Sequence, residues 1–310
     1  VVDAYDKKTS DLLLDIPVDP SLAVKTQLVN VGNVTNRGVE LSLNVVALEC
    51  KDIRWSVSAN IAHNTNKITD MGDRKQLVLG SNGEEILKVG ESLGSFYGFK
   101  FDGIVQKGED VSLLPKTVHG TAQPGDIKIA DIGGPNGVPD HEINSYDRMV
   151  LGSSQPNYTY GVQTTLRYNG FDLFISLQGS HGNKLFNYLR RHLESPNDSY
   201  NASAALLNSW TEENPSNTLP GLANIANDRY YSFLDSRYVE DASFLRLKNI
   251  TLGYTVKLPS VAAQLRVFAS GQNLFVFTGY KGYDPEVSRG IDLGTYPTAR
   301  TFSVGTRITF

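Results

Sequence analysis

The feature that most constrains this chain is a period of two, repeated in segments whose connections come in two very unequal lengths. In RGVELSLNVVAL, Val39, Leu41, Leu43 and Val45 share one parity, while Glu40, Ser42 and Asn44 share the other. In IRWSVSANIAHN, Ile53, Trp55, Val57, Ala59 and Ile61 oppose Arg54, Ser56, Ser58 and Asn60. The stretch YTYGVQTTLRYNGFDLFISLQGS reads as a complete hairpin. Tyr160, Val162, Leu166 and Tyr168 lead to Asn169-Gly170, and Phe171, Leu173, Ile175 and Leu177 return. Asn-Gly suits the positive φ of a tight type I′ turn. NITLGYTVKL and QLRVFASG alternate in the same way. In the closing ARTFSVGTRITF, Phe302, Val304, Ile308 and Phe310 share a parity that only Thr306 interrupts. Each segment is a strand with one apolar and one polar or small face. Across 244–248 the parity flips to Leu245 and Leu247, as a bulge or a membrane boundary would make it do.

The connections after alternate strands are short, at 49–52, 169–170 and about 259–263. The others run from about 20 to about 90 residues, against the few that compact domains use. Short turns at one end and long loops at the other are the construction of outer-membrane barrels. A soluble sandwich has no reason to segregate loop lengths. Trp55, Tyr168, Phe171, Tyr254 and Phe310 lie near a short turn or the terminus, where an aromatic ring suits a water–lipid interface. Taken alone, the last strand also reads as an edge strand on a soluble core. The expected class is therefore all-β: an antiparallel transmembrane β-barrel sheet of about eight strands, one of them partial, with long extracellular loops. NKLFNYLRRHLES, with Leu185, Tyr188 and Leu189 at helical spacing, and SAALLNSW read as short helices within those loops.

Bulk properties exclude several classes. A net charge of −4 on 310 residues, with no basic stripe, argues against nucleic-acid binding. Cys50 is the only cysteine, and the five histidines lack metal-ligand spacing. No apolar run is long enough for a transmembrane helix, and the opening VVDAYDKKTSDLLL does not read as a signal peptide. A mean hydropathy of −0.25 fits a barrel with a wet interior. Catalysis is not expected. Glu84-Glu85 and Glu212-Glu213 are neighbouring loop acids, no GxSxG elbow occurs, and GGPNG lacks the Lys-Ser/Thr of a phosphate loop.

An ordered series of blocks covers nearly the whole chain: NVGNVTNRGVELSLN, NTNKI, GESLGSFYGFKFDGI, LGSSQPNYTYGV, SWTEENPSNTLP, YVEDASFLRLKNITLGY, GQNLFVFTGYKGYDPEV and RTFSVGTRITF. It resembles the SusC/RagA family of TonB-dependent outer-membrane transporters. The resemblance implies that 1–310 form the C-terminal part of a plugged barrel of roughly 22 strands. The plug domain, the TonB-contacting segment and the first strands would lie upstream of Val1. It implies import of oligosaccharides or other large nutrients, peptides included, beneath a SusD-like surface lipoprotein and driven through TonB. Glu40, Asn44, Arg54, Asn60, Gln163, Arg167 and Gln178 would line water or touch the plug. Ser303, Gly305, Ile308 and Phe310 match the terminal pattern read by the barrel-assembly machinery in such families, and outer-membrane lipid would bathe the apolar face.

Two sets of loop residues stand out. Phe96, Tyr97, Trp210, Tyr230, Tyr231, Tyr280 and Tyr283 would stack on sugar rings, contact a lid protein, or pack the loops on one another. Family members often carry an Asp-x-Asn-x-Asp-Gly loop where this chain spreads Asp131, Asn136, Asp140, Glu142 and Asp147 through an insertion. Calcium there stands beside a loop held by Asx hydrogen bonds, and no other cofactor is expected. The alternative function is a self-contained small barrel or β-rich surface adhesin that binds glycans without transport, since eight strands are enough to close.

Overall fold

The computed structural model describes residues 1–17, 26–30, 32–80, 83–195, 201–225, 234–259 and 263–310. Eight strands form one continuous antiparallel sheet in chain order. They are β1 (Val2–Thr9), β2 (Asn33–Glu49), β3 (Ile53–Asp70), β4 (Tyr158–Tyr168), β5 (Phe171–His181), β6 (Phe244–Leu258), β7 (Ala263–Thr278) and β8 (Thr301–Thr309). The meander leaves β1 and β8 as edges that do not meet. The wall is therefore an open arc, which weighs against a self-contained eight-strand barrel.

Register carries the alternation of single strands across the sheet. Leu43 lies opposite Ala59, Ala59 opposite Val162, Val162 opposite Leu177, Leu177 opposite Leu247, and Leu247 opposite Phe275. A one-residue slip anywhere would turn this apolar row to the polar side. In the chain taken alone the row is exposed at its two ends, Leu43 at 55% and Phe275 at 55%, and half-buried at Ala59, Leu177 and Leu247. An apolar surface of this extent on a monomer in water would be a liability, and against acyl chains it is the expected surface. At the turn end Tyr168, Phe171 and Tyr254 lie side by side on that face, with the Phe171 and Tyr254 ring centroids 4.5 Å apart. At the loop end Tyr158, Phe275 and Phe277 are also exposed. Tyr158 to Tyr168 is an 11-residue strand, about 33 Å long, or about 25 Å of membrane normal at the usual barrel tilt. The two aromatic belts bracket one apolar band.

Local chemistry explains the ends. Asn169 (φ 46°) and Gly170 (φ 85°) make the tight β4–β5 turn that the Asn-Gly pair called for. The parity flip at 244–248 is a β-bulge. Leu177 pairs with Leu247 and Ser176 with Asn249, so Lys248 is the extra residue. Asn273 on β7 answers with φ 54°. The bulge keeps Leu245 and Leu247 outside and turns Arg246 inward.

The described hydrophobic cores lie in and beneath the long connections. Phe99, Ile104, Ile127, Ile129, Ile143 and Trp210 form one; Phe96, Phe186, Leu234 and Tyr238 form another. The expected helix in NKLFNYLRRHLES is shorter than its spacing suggested. Lys184–Asn187 is a strand, paired with Val239–Asp241, and the helix runs only over Tyr188–Leu193, capped by Asn187 accepting from Arg190 N–H. Leu185 and Phe186 are claimed by the loop cores, and tertiary burial overrides local period. SAALLNSW contains a 3-10 turn, Ala204–Asn208, started by Ser203.

Candidate functional site

The concave face of the wall carries two zones that differ in charge. Nearer the loops, Glu40, Ser42, Asn44, Asn60, Gln163, Ser176 and Gln178 line an open cavity of about 650 Å³. Apart from Glu40 these are neutral groups that both donate and accept hydrogen bonds, suited to water, hydroxyls and amides. Nearer the turns, Glu49, Lys51, Arg54, Arg167, Asp172, Arg266 and Arg307 line a second open cavity of about 690 Å³. All seven residues expected to face inward, Glu40, Asn44, Arg54, Asn60, Gln163, Arg167 and Gln178, line one or the other.

In the lower zone Arg266 binds Asp172 through Nε at 2.8 Å and Nη2 at 2.5 Å. The bridge crosses β6 above Gly253, where a Cβ would sit 2.5 Å from Arg266 Nη2 and 2.6 Å from Asp172 Oδ1. The Arg266 guanidinium also lies 4.9 Å from the centroid of the Phe268 ring. That ring covers Gly305, whose Cβ would stand 2.6 Å from it.

At the loop end the connection 279–300 folds back onto the concave face. Arg246, 1% exposed, donates Nη2 to Asp284 Oδ1 at 2.6 Å, and its Nε is ion-paired with Glu286. Gln178 Nε2 reaches Glu286 at 2.9 Å, so two neighbouring wall strands hold the same segment. Asp284 also accepts from the Glu286 N–H and from the N–H and hydroxyl of Thr298. Burial pushes its carboxyl up, but these donors and the Arg246 charge outweigh that and hold it below the usual carboxylate range. Deeper in the loops Tyr280 donates to Asp292 at 2.7 Å. Burial and this bond raise the phenol well above its ordinary value.

The loop aromatics divide. Phe96 is fully buried against Phe186 and Leu234, Trp210 packs in the other loop core and donates Nε1 to Gln106 at 3.0 Å, and Tyr280 is buried beside Leu185 and Ala242. These three pack the loops on one another and present no face to a sugar or lid. Tyr97 lies beneath Arg148, whose guanidinium is 4.5 Å from its ring centroid. Tyr283, 65% exposed, is open to solvent. Tyr230 and Tyr231 lie outside the described residues.

In 131–147 three of the four acids accept hydrogen bonds from backbone, while Glu142 is exposed. Asp147 is buried and accepts from Ile132, Gly133 and Asn144 N–H. Asp131 accepts from His141 N–H at 2.7 Å, and Asp140 from Glu142 N–H at 3.1 Å. Asn136 is exposed, and Gly137 N–H beside it closes a turn onto the Gly134 carbonyl. Among the described residues, no group of three or more His, Cys, Asp or Glu side chains converges as a metal site would require. The arrangement is one of Asx-type turns.

Of the terminal four residues, Ile308 and Phe310 face outward, while Ser303 and Gly305 face inward. Among the described residues strand β8 pairs with β7 alone, which leaves the N–H and C=O groups of its other edge open. The sequence did not reveal the Arg246 latch or the Asp172–Arg266 bridge. The parity flip was the one local signal of the former, since it marks where a polar residue is re-aimed.

Residues 1–274 match the family model described as TonB dependent receptor-like, beta-barrel. TonB-dependent receptor P3 of Formosa agariphila is 34% identical over 334 residues, covering 99% of this chain and 32% of that protein. TonB-dependent receptor SusC of Bacteroides thetaiotaomicron is 29% identical over 328 residues, covering 100% of this chain and 30% of that one. A solved structure of the RagAB peptide transporter superposes with a TM-score of 0.82 at 27% identity, over 100% of this chain and 33% of that chain. The chain thus spans about a third of the length of these relatives. Barrels of this family lie in the outer membrane, and among the described residues no helix is long and apolar enough to cross a membrane. By its family match and its one-faced antiparallel wall, the chain belongs to the TonB dependent receptor-like β-barrel family.

Proposed function

We propose that this chain supplies part of the wall, lumen and outer loops of an outer-membrane, TonB-dependent importer of oligosaccharides or other large nutrients, peptides included. The observation that carries the reading is the family match over 1–274, on a wall whose apolar band faces out and whose polar face is concave. The neutral hydrogen-bonding zone suits a hydroxyl- or amide-rich solute passing along it. The solved RagAB relative is named a peptide transporter, which supports peptides as the first class to try, with oligosaccharides second. In this reading a SusD-like surface lipoprotein meets the loop end, where Tyr283, Leu293 and Tyr296 are exposed on the loop that Arg246 latches. In the same reading TonB drives the import. The open edge of β8, with Ser303, Gly305, Ile308 and Phe310, is what the barrel-assembly machinery would pair with. The role is transport and binding, with no chemistry on the solute.

The deciding experiment is uptake of labelled oligosaccharides and peptides by cells carrying or lacking the full-length gene, with and without TonB. Uptake of one class that needs both is the expected result. Surface binding without TonB-dependent uptake would favour the adhesin. Topology is checked with Cys50, exposed at a short turn. A membrane-impermeant maleimide should spare it on intact cells, label it after permeabilisation, and label Tyr283→Cys on intact cells.

A further inference from the structure

The lipid-facing side of the wall ends differently at its two margins. At the turn end the outward positions Leu48, Trp55, Tyr168, Phe171, Tyr254 and Ile308 carry no charge. At the loop end the apolar band on β1 to β4 closes at Ala4, Val39, His63 and Tyr158, which lie in direct register. Two further outward rows continue beyond it on β1 to β3: Asp6, Arg37 and Thr65, then Lys8, Thr35 and Lys67. These positions hold three cations and one carboxylate. Parity puts them on the face of Val39, whereas Tyr5 turns inward, covers Gly38 and donates to Asn64. Asp6 takes Nε of Arg37 at 3.0 Å, which leaves the Nη groups of a side chain 67% exposed. Lys8 and Lys67 are exposed and have no ion-pair partner among the described residues. They flank Thr35 from two strand spacings apart, about 10 Å, and Arg37 stands about 7 Å along the strand from Thr35.

We propose that Lys8, Arg37 and Lys67 form a binding site for the phosphate groups of a glycolipid headgroup in the outer leaflet. The site rests on the outer-membrane placement of the family and is independent of what is imported. Depth fixes the occupant. At the usual barrel tilt the Arg37 row stands about 5 Å above the Tyr158 row along the membrane normal, and the lysine row about 10 Å. The polar layer adds about 5–8 Å to the hydrocarbon on each side. Arg37 therefore lies among headgroups, and the long lysine side chains reach them from the outer margin. Guanidinium forks take phosphate oxygens in pairs, ammonium groups act as point charges, and the Thr65 hydroxyl opposite Arg37 is a further donor. The three side chains lie on the face away from the concave cavities, so neither the solute nor polypeptide in the lumen reaches them. Because the turn end has no counterpart, the cations serve one leaflet and not membrane interfaces in general.

The test uses the full-length protein in mild detergent, mixed with micelles carrying glycolipid extracted from outer membranes, either intact or dephosphorylated. Native mass spectrometry counts the glycolipid held per barrel. Wild type binds the intact form and loses most of that affinity when the phosphates are removed. A cation near an anionic lipid surface contributes about fivefold. Lys8→Gln, Arg37→Gln and Lys67→Gln therefore each weaken binding about fivefold, and the triple variant weakens it about a hundredfold. Lys7→Gln, on the same strand but the inward face, leaves binding unchanged. Raising salt from about 0.1 to about 1 M weakens wild-type binding and barely moves the triple variant. Heat-modifiable migration on gels confirms that each variant is folded. Lys8→Gln combined with Lys67→Gln, both at exposed positions, carries the comparison if the triple variant does not assemble.

A folded triple variant that holds intact glycolipid as tightly as wild type would overturn the proposal. Equal binding of the intact and dephosphorylated forms would do the same, since the acyl chains alone would then be the ligand. Displacement of the glycolipid by millimolar inorganic phosphate at constant ionic strength would assign the cations to a free anion, against the proposal. So would a photo-crosslinker at 67 that captures an acidic segment of the same polypeptide in place of lipid. TonB-dependent uptake is read separately, so failure here leaves the transporter reading standing.

Discussion

The wall and the loop layer solve opposite problems with the same residue types. In the wall, apolar side chains point away from the protein, and Phe310 stands 93% exposed. Between its two edge strands the backbone is satisfied within the sheet, and specificity comes from register. In the loop layer, apolar side chains point at one another: Phe96, Phe186, Leu234 and Tyr238 pack as in a soluble protein. There a charge that goes inside takes a partner of opposite sign, as Arg246 does with Asp284 and Glu286. The difference teaches that burial is defined by the solvent each region meets. A leucine exposed in the wall is a stabilising residue, and one exposed in the loops is a contact surface. The two regions meet at Arg246 and Gln178, wall residues whose partners belong to a loop.

The sharpest way to break this comparison is to open the loop layer while leaving the wall intact. Phe96→Ala should cost about 3–5 kcal/mol. Hydrogen exchange should show that loss as lowered protection in 95–99 and 184–187, with strands β2 to β5 unchanged. Asp284→Ala leaves the buried Arg246 guanidinium with Glu286 as its one remaining carboxylate, a loss of about 3 kcal/mol, the low end for a broken buried pair. Proteolytic nicking within 279–300 should rise, and Arg246→Met added to Asp284→Ala should restore part of the protection.

The wall is tested from the lipid side. Leu43→Arg in the middle of the band should cost about 2–4 kcal/mol on folding into bilayers, read from reversible denaturant titration, whereas Ser42→Arg on the inner face should cost far less. Gly253→Ala should cost about 1–3 kcal/mol by forcing the Arg266–Asp172 bridge aside. Removing the bridge first, with Arg266→Ala, should make the same alanine nearly neutral.

The smallest effect is the pH dependence of the latch. The folded-state carboxyl of Asp284 lies below its unfolded value, so its contribution is present above the unfolded pKa and lost as pH falls through the folded one. Protection of 279–300 should be flat from about pH 8 to 5 and decline only below about pH 4.

Much of the wall was legible. The period of two names the lipid face, and the unequal connections name the two ends. Asn169-Gly170 names its own turn, and even the bulge at Lys248 shows as a flipped parity. These are local properties, decided by neighbours at i and i+2 or within one turn. The candidate site was legible only in part. The inner-face residues fell where parity put them, but parity does not say which of them find partners. NKLFNYLRRHLES shows the limit: its helical spacing is real, yet Leu185 and Phe186 belong to a strand because Ala242, Tyr238 and Leu234 arrive from the far end of the loop to bury them.

By itself, then, the sequence determined an antiparallel sheet with one face for lipid and one for water, and the segregation of its turns from its loops. Only the tertiary structure decided that Phe96, Trp210 and Tyr280 are core residues, that Arg246 holds a loop, and that arginines collect in opposed pairs at one level of the inner face. The physical reason is separation along the chain. Alternation is written in adjacent residues, whereas each of these contacts joins residues tens of positions apart, and the energy that selects them exists only once both partners have left water together.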